Sequence, residues 1–206
     1  DTIKYIRVVN GKNIKVMNLK IEKTQNYIAN GFLTHNCGSG TVLQESLLKG
    51  INVVGADSDE EAVKQAQENI KWLVKEYNIK NSFKIMKLDC RYLAKNLKDN
   101  SIDAVATEPY MGPFIRKLPT IEQAKKLVLD LSILYNELFK NLSMVVKKNK
   151  RVVIIIPKFR TMQNKTVFID FRTIAENNGF ILATKSINYG YKENKLLRDI
   201  YILDKN

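Results

Sequence analysis

The apolar and polar positions of this chain change rhythm once. Up to residue 36 the apolar residues fall in short β-type runs, at 3–9, 14–17, 19–21, 27–29 and 32–34, without a helical period. Asn10-Gly11 and Asn30-Gly31 separate runs, and tight turns are predicted there. From residue 41 the texture becomes alternating helix and strand. A helix is predicted over 41–49, then a buried-type strand over 52–56 that ends at Asp57. Ser58 is placed to cap an amphipathic helix over 59–76, with Ala62, Ala66, Ile70 and Leu73 on one face. Strands over 83–88 and 102–106 end at Asp89 and at Thr107-Glu108-Pro109-Tyr110. A helix over 121–146 follows Pro119-Thr120, and the most apolar strand, 151–156, comes after it. A helix over 167–176 closes near Gly179, and strands over 180–188 and 196–203 are predicted to pair as a hairpin.

This alternation predicts an α/β fold, a doubly wound, mostly parallel sheet of the Rossmann-like kind with an antiparallel end, preceded by a small all-β segment. Such sheets bind ligands at the carboxyl ends of their strands. The candidate positions are therefore 37–41, 57, 89–90 and 107–112. A Gly-rich loop normally follows a first strand, and no suitable strand precedes Cys37. The α/β domain is expected to begin inside its own ligand loop, with domains at 1–36 and 37–206.

Composition narrows the picture. Hydrophobic residues are 45% and charged residues 27% of the 206, a globular balance. The longest apolar run, 152–156, is far too short to span a bilayer as a helix. No basic-then-apolar signal opens the chain, which starts at Asp1 and reads as a piece of something longer. Lys and Arg number 34 against 21 acidic residues, a net charge of +13. That surplus favours a polyanionic partner such as nucleic acid, although lysines spread over solvated helix faces would give the same total. The two cysteines, Cys37 and Cys90, make no disulfide framework, so a reducing cytoplasm is the expected location.

His35-Asn36-Cys37 carries chemistry at zero spacing. An Asn side-chain amide can attack its own carbonyl carbon, closing a succinimide and cutting the chain after it. A neighbouring imidazole can assist the leaving amine, and a Cys thiolate can accept an acyl group. Three such residues alone also fit an ordinary surface loop. The wider stretch VMNLKIEKTQNYIANGFLTHNC, residues 16–37, resembles the C-terminal splicing motifs of inteins, which read V-Y-D-L-x-V, then H-N-F or N-Y, then A-N-G-F-x-x-H-N before Cys, Ser or Thr. The resemblance implies that Asn36 cyclises, His35 assists, and Cys37 is the first residue of the joined product. Asn18 stands where the family usually has Asp, and Gln25 where it often has an assisting His. The family's N-terminal Cys and its Thr-x-x-His motif are absent here, so an upstream or separate polypeptide would supply them.

After splicing, CGSGT at 37–41 would follow an unseen segment. It then resembles the end of the D-P-F-C-G-S-G-T loop of S-adenosylmethionine-dependent methyltransferases, with glycines where backbone approaches the cofactor. A phosphate loop would need Gly-Lys-Ser/Thr, which is missing. By this resemblance Cys37, Gly38, Ser39, Gly40 and Thr41 hold the methionine part. Asp57 with Ser58 holds the ribose, and Asp89 with Cys90 holds the adenine. Both acids could equally be helix caps. The TEPYMGP stretch lies where amino-methyltransferases carry D/N-P-P-Y, a turn that accepts the protons of an exocyclic amine and stacks an aromatic ring on its base. Either Glu108 takes the acceptor place, with Pro109 kept and Tyr110 as stacker, or Thr107 does.

Residues 37–206 as a whole resemble a class I methyltransferase, most of all the tRNA guanine-N2 methyltransferases, whose last strand KLLRDIYIL at 195–203 matches. The family implies S-adenosyl-L-methionine as cofactor, tRNA as substrate and an RNA-binding module upstream. Arg116, Lys117, Lys158 and Arg160 follow strand ends and are candidates for phosphate contacts. No metal is expected. The alternatives are a DNA adenine-N6 or cytosine-N4 methyltransferase, and a catalytically inactive RNA-binding protein.

Overall fold

The computed structural model describes residues 8–11, 14–17, 40–189 and 194–206, the first two stretches as backbone only. The chain divides into two compact units, Asp1–Lys87 and Leu88–Asn206. The predicted domain boundary at 36/37 lies outside the described residues.

In the first unit, strands β1 (Val8–Gly11) and β2 (Ile14–Met17) form an antiparallel pair. Asn10 pairs with Lys15 and Gly11 with Ile14, so the predicted turn residues Asn10-Gly11 belong to the strand. Helix α1 (Thr41–Leu48), strand β3 (Val53–Asp57), helix α2 (Glu60–Glu76) and strand β4 (Phe83–Lys87) follow, with β3 and β4 parallel. Asp59, not Ser58, caps α2, because its carboxylate accepts from the Glu61 N–H. The buried stripe of α2 is Val63, Ala66, Ile70 and Leu73. Val63 takes the place of the predicted Ala62, since it stands three residues before Ala66 and seven before Ile70, on their face of the helix. Leu47, Val53, Ile70 and Leu73 form the core of this unit.

Two glycines make this packing possible. A Cβ on Gly55 would lie 2.4 Å from Leu43 Cδ1. Gly40, buried at the start of α1, has φ +75°, and a Cβ there would come within 3.0 Å of the Ala66 Cβ. The left-handed backbone and the crowding both demand glycine.

The second unit holds a six-stranded mixed sheet. Its path runs β5 (Ile102–Thr107), β6 (Val146–Arg160), β10 (Leu196–Lys205), β8 (Phe180–Leu182). β7 (Thr166–Phe168) pairs with β6, and β9 (Ile187–Tyr189) with β10. Only β5 and β6 are parallel; every other pair in this sheet is antiparallel. The predicted mostly parallel sheet is thus mixed among the described residues. The predicted final hairpin forms, its first strand divided into β8 and β9, both antiparallel to β10, whose other edge pairs with β6. The predicted helix over 167–176 is shorter, α5 (Phe171–Asn177), because Val167 pairs with Phe159 in β7 and Asp170 caps the helix. A single turn of 3-10 helix (Cys90–Tyr92) and the short α3 (Leu93–Asn96), neither of them predicted, follow Asp89.

Helix α4 (Ile121–Val145) begins with a reciprocal capping box between Thr120 and Gln123 and runs directly into β6. Its stripe Leu131, Tyr135, Leu138, Phe139, Leu142 and Val145 is buried on the sheet. Edge-to-face rings complete that core: Phe139–Phe171 at 5.1 Å, Phe139–Phe180 at 5.0 Å and Phe171–Tyr201 at 4.8 Å. Among the described residues no helix is long and apolar enough to cross a membrane.

Gly40→Ala is expected to cost about 1–2 kcal/mol from the left-handed backbone, and more from the contact with Ala66. Urea denaturation of the full chain measures it; an unchanged midpoint would refute this account of Gly40.

Candidate active site

The strand-end residues singled out in the sequence are distributed over both units. His35, Asn36, Cys37, Gly38 and Ser39 lie outside the described residues. Gly40 and Thr41 form the entry to α1, where the Gly40 carbonyl accepts the first helical bond from the Gln44 N–H at 2.9 Å. Asp57 is the last residue of β3. Its Oδ1 accepts from the Asp59 N–H at 2.9 Å, and no other hydrogen bond reaches that carboxylate among the described residues. Ser58 is exposed.

In the second unit, Asp89 precedes the 3-10 turn. Its Oδ1 accepts from the Arg91 N–H, and both oxygens are gripped by the Arg91 guanidinium, with Nη2 at 2.6 Å from Oδ2. The guanidinium holds this carboxyl below the usual carboxylate range. The helix-cap reading of Asp89 is realised, and an amine arriving there would compete with Arg91. Burial first, and the charge of Asp89 second, push the Cys90 thiol up to about 11, so it stays protonated at neutral pH.

Thr107, Glu108, Pro109 and Tyr110 leave the C-terminal end of β5. Glu108 does not project into solvent. Its side chain is 9% exposed and its Oε1 accepts from Arg198 Nε at 3.1 Å, with Arg198 12% exposed. Arg198 sits on β10 opposite Pro157 of β6. The last β5 partner on β6 is Ile154 and the first β7 partner is Lys158. Pro157 therefore occupies the stretch of β6 whose only paired neighbour is β10, where a missing N–H is accommodated. The Glu108 loop emerges at that gap.

Two residues that the sequence reading passed over position these strand ends. Tyr135, fully buried, donates its hydroxyl to the Tyr110 carbonyl at 2.8 Å. Desolvation, then the Glu108 charge, push its phenol far above the ordinary range, so it remains a donor. Asn141, also buried, accepts from the Ala94 N–H at 2.9 Å and donates to the Arg91 carbonyl at 2.9 Å, fixing the turn that carries Asp89 and Cys90. A Tyr and an Asn on the apolar stripe of a long helix were the available signals. The Tyr110 ring itself is 61% exposed.

The candidate phosphate contacts separate. Lys158, partly exposed, is paired with the buried Asp199 at 2.5 Å and donates to Asn188 at 3.1 Å, so its charge is already answered. Arg116 and Lys117 are exposed. Arg160 lies near the end of β6 and is partly buried. Among the described residues no group of acidic, His or Cys side chains could hold a metal.

Parallel strands ending in acidic and proline-bearing loops, joined to an antiparallel end strand, define an α/β methyltransferase-like domain. The chain belongs to the family described as RMKL-like, methyltransferase domain, which matches residues 30–187. That match starts seven residues before Cys37, inside the stretch read as a splicing segment. Over 76 residues the chain is 37% identical to the tRNA (guanine(10)-N2)-dimethyltransferase of Methanothermobacter thermautotrophicus, covering 37% of this chain and 20% of that protein. Among solved structures, TrmN from Thermus thermophilus is similar with a TM-score of 0.56 and 16% identity, over 83% of this chain and 42% of that one. Magnesium protoporphyrin IX methyltransferase from Synechocystis PCC 6803, solved with bound SAM, gives 0.53 and 18%, over 82% and 67%.

Cys90 should alkylate at pH 8 roughly 100-fold more slowly than an unperturbed thiol, with a rate still rising up to about pH 11. Mass spectrometry of the Cys90 peptide after iodoacetamide treatment measures this. A rate that levels off near pH 9 would contradict it.

Proposed function

We propose that this methyltransferase domain transfers a methyl group from S-adenosyl-L-methionine to an exocyclic amino group in nucleic acid, guanine N2 of tRNA. The observation that carries the proposal is the anchoring of the loop after β5. Arg198 holds Glu108 from one side and Tyr135 holds the Tyr110 carbonyl from the other, while the Tyr110 ring stays exposed. Such a loop can stack a base on Tyr110. Its oxygens can then accept the amine protons and aim the nitrogen lone pair. Orientation of this kind supplies most of the rate in an amine methylation, without a covalent intermediate. The bound cofactor supplies an electrophilic methyl on a sulfonium. The residues present fit it unevenly. The Asp57 carboxylate keeps acceptor capacity for ribose hydroxyls, and the Gly40 turn gives the close backbone the methionine part needs. Asp89 can serve adenine only if the Arg91 guanidinium yields. The +13 charge and the partial likeness to a tRNA guanine-N2 dimethyltransferase support a tRNA substrate.

Glu108 is the acceptor in this reading. Its burial beside Arg198 favours a second one, in which Glu108 anchors the loop and Thr107 accepts. Labelled methyl transfer to tRNA and to duplex DNA, with nucleoside analysis, tests both substrate and residue. N2-methylguanosine in tRNA is expected, and N6-methyladenine or N4-methylcytosine in DNA would reject the substrate. Glu108→Ala should lower kcat about 100-fold with cofactor affinity unchanged, and Glu108→Gln, which keeps an oxygen, should lower it far less. Loss of turnover in Thr107→Val, with Glu108→Ala active, would transfer the acceptor role to Thr107.

Residues 1–36 we assign to protein splicing at Asn36/Cys37, on the sequence resemblance alone, with an upstream or separate polypeptide supplying the missing halves of the intein and of the enzyme. Intact mass after co-expression with the natural upstream sequence tests this. A product lacking residues 1–36 and joined at Cys37 is expected, and Asn36→Ala should abolish it. An unchanged wild-type mass would reject splicing.

A further inference from the structure

Beyond the loop that ends at Tyr110, the chain builds a groove that the methyl-transfer reading does not use. Gly112, at φ +94°, turns the chain above Phe159 and Leu131 and leads to Phe114, which is 87% exposed. Residues 114–120 form one wall, and the first three turns of α4 form the other, through Gln123, Lys126, Leu127 and Asp130. The volume is about 1120 Å³. The groove is built rather than collapsed. The Met162 N–H donates to the Pro119 carbonyl at 3.0 Å, the Lys195 ammonium donates to the Arg116 carbonyl, and the Thr120–Gln123 capping box fixes the end of the helix.

Charge decides what fits it. Arg116, Lys117 and Lys126 line the groove, and none of them pairs with a carboxylate among the described residues. Asp130 is the one carboxylate among its described lining residues. The N-terminal end of the 25-residue α4 borders the groove through Thr120 and Gln123. An exposed aromatic ring beside unpaired cations is the arrangement that holds single-stranded nucleic acid, with bases on the ring and phosphates on the cations. A protein partner would use Phe114 and the apolar floor but would leave three cations unanswered.

We infer that this groove seats the unpaired RNA strand next to the target nucleotide, with Phe114 as a stacking platform and Arg116, Lys117 and Lys126 as phosphate contacts. The inference rests on the tRNA reading above and extends it from the target base to its neighbours.

Fluorescence anisotropy with a labelled tRNA transcript and with a single-stranded RNA oligonucleotide tests it in the full chain. Phe114→Ala should weaken binding of both about tenfold. Lys117→Ala/Lys126→Ala should flatten the slope of log affinity against log salt by about 1.4, the loss of two phosphate contacts on a single strand. Circular dichroism and cofactor binding, unchanged in both variants, show that the fold is retained. Wild-type affinity and salt slope in both variants, with wild-type methylation of tRNA intact, would overturn the groove and leave the methylation reading standing. No RNA binding by the wild type, with no methylation by the enzyme completed by its upstream half, would overturn both. Weakened RNA binding in neither variant, with a protein captured through Phe114, would reassign the groove.

Discussion

Burying a carboxylate and a guanidinium together is the constraint on which the candidate site depends. Each charge would cost several kcal/mol to desolvate alone, and the contact between Glu108 and Arg198 offsets part of that cost for both. The pair exists only if β10 lies beside β6 in one register, with Arg198 opposite Pro157, and only if β5 ends where it does. A slip of one residue in β10 would turn Arg198 to the other face of the sheet and break the pair. The loop from Thr107 to Tyr110 therefore inherits its position from a strand that lies about ninety residues further along the chain.

Helix α4 sets the remaining geometry. Its buried stripe supplies packing, and two polar members of that stripe reach out of the core to strand ends. Tyr135 holds the carbonyl of Tyr110, and Asn141 holds the turn after Asp89. Both polar groups are satisfied, as buried polar groups must be. The result is a site whose backbone is fixed from below while its aromatic ring remains open. Its one described thiol, Cys90, is kept neutral by burial.

Much of the fold was legible along the chain. The runs around β3, β4 and β5 and the helical periods of α2 and α4 are strong local signals, and each element stands within a residue or two of its expectation. The failures have local causes. Val167 reads as the start of a helix, but the open edge of β6 offers it a ladder partner in Phe159, and Asp170 is the better cap. The strand predicted over 151–156 begins earlier, and Lys147, Lys148 and Lys150 belong to it. They lie within β6, where the partners of β5 jump from Val146 to Arg151 around Asn149 at φ 58°. Asp89 was visible as a strand-end acid, yet Arg91 beside it makes it a capped ion pair, an outcome that spacing alone does not distinguish.

The sequence by itself determined which elements form, which residues end the strands, and that a glycine-bearing turn opens the first helix of the α/β part. These follow from periodicity, caps and backbone freedom, which act over a few residues. Only the tertiary structure decided that Glu108 is buried against Arg198, that Lys158 is paired with the buried Asp199, and that Tyr135 and Asn141 brace the strand ends. Those outcomes depend on which strands become neighbours, and a buried charge takes its partner from whatever the sheet order brings within hydrogen-bond reach.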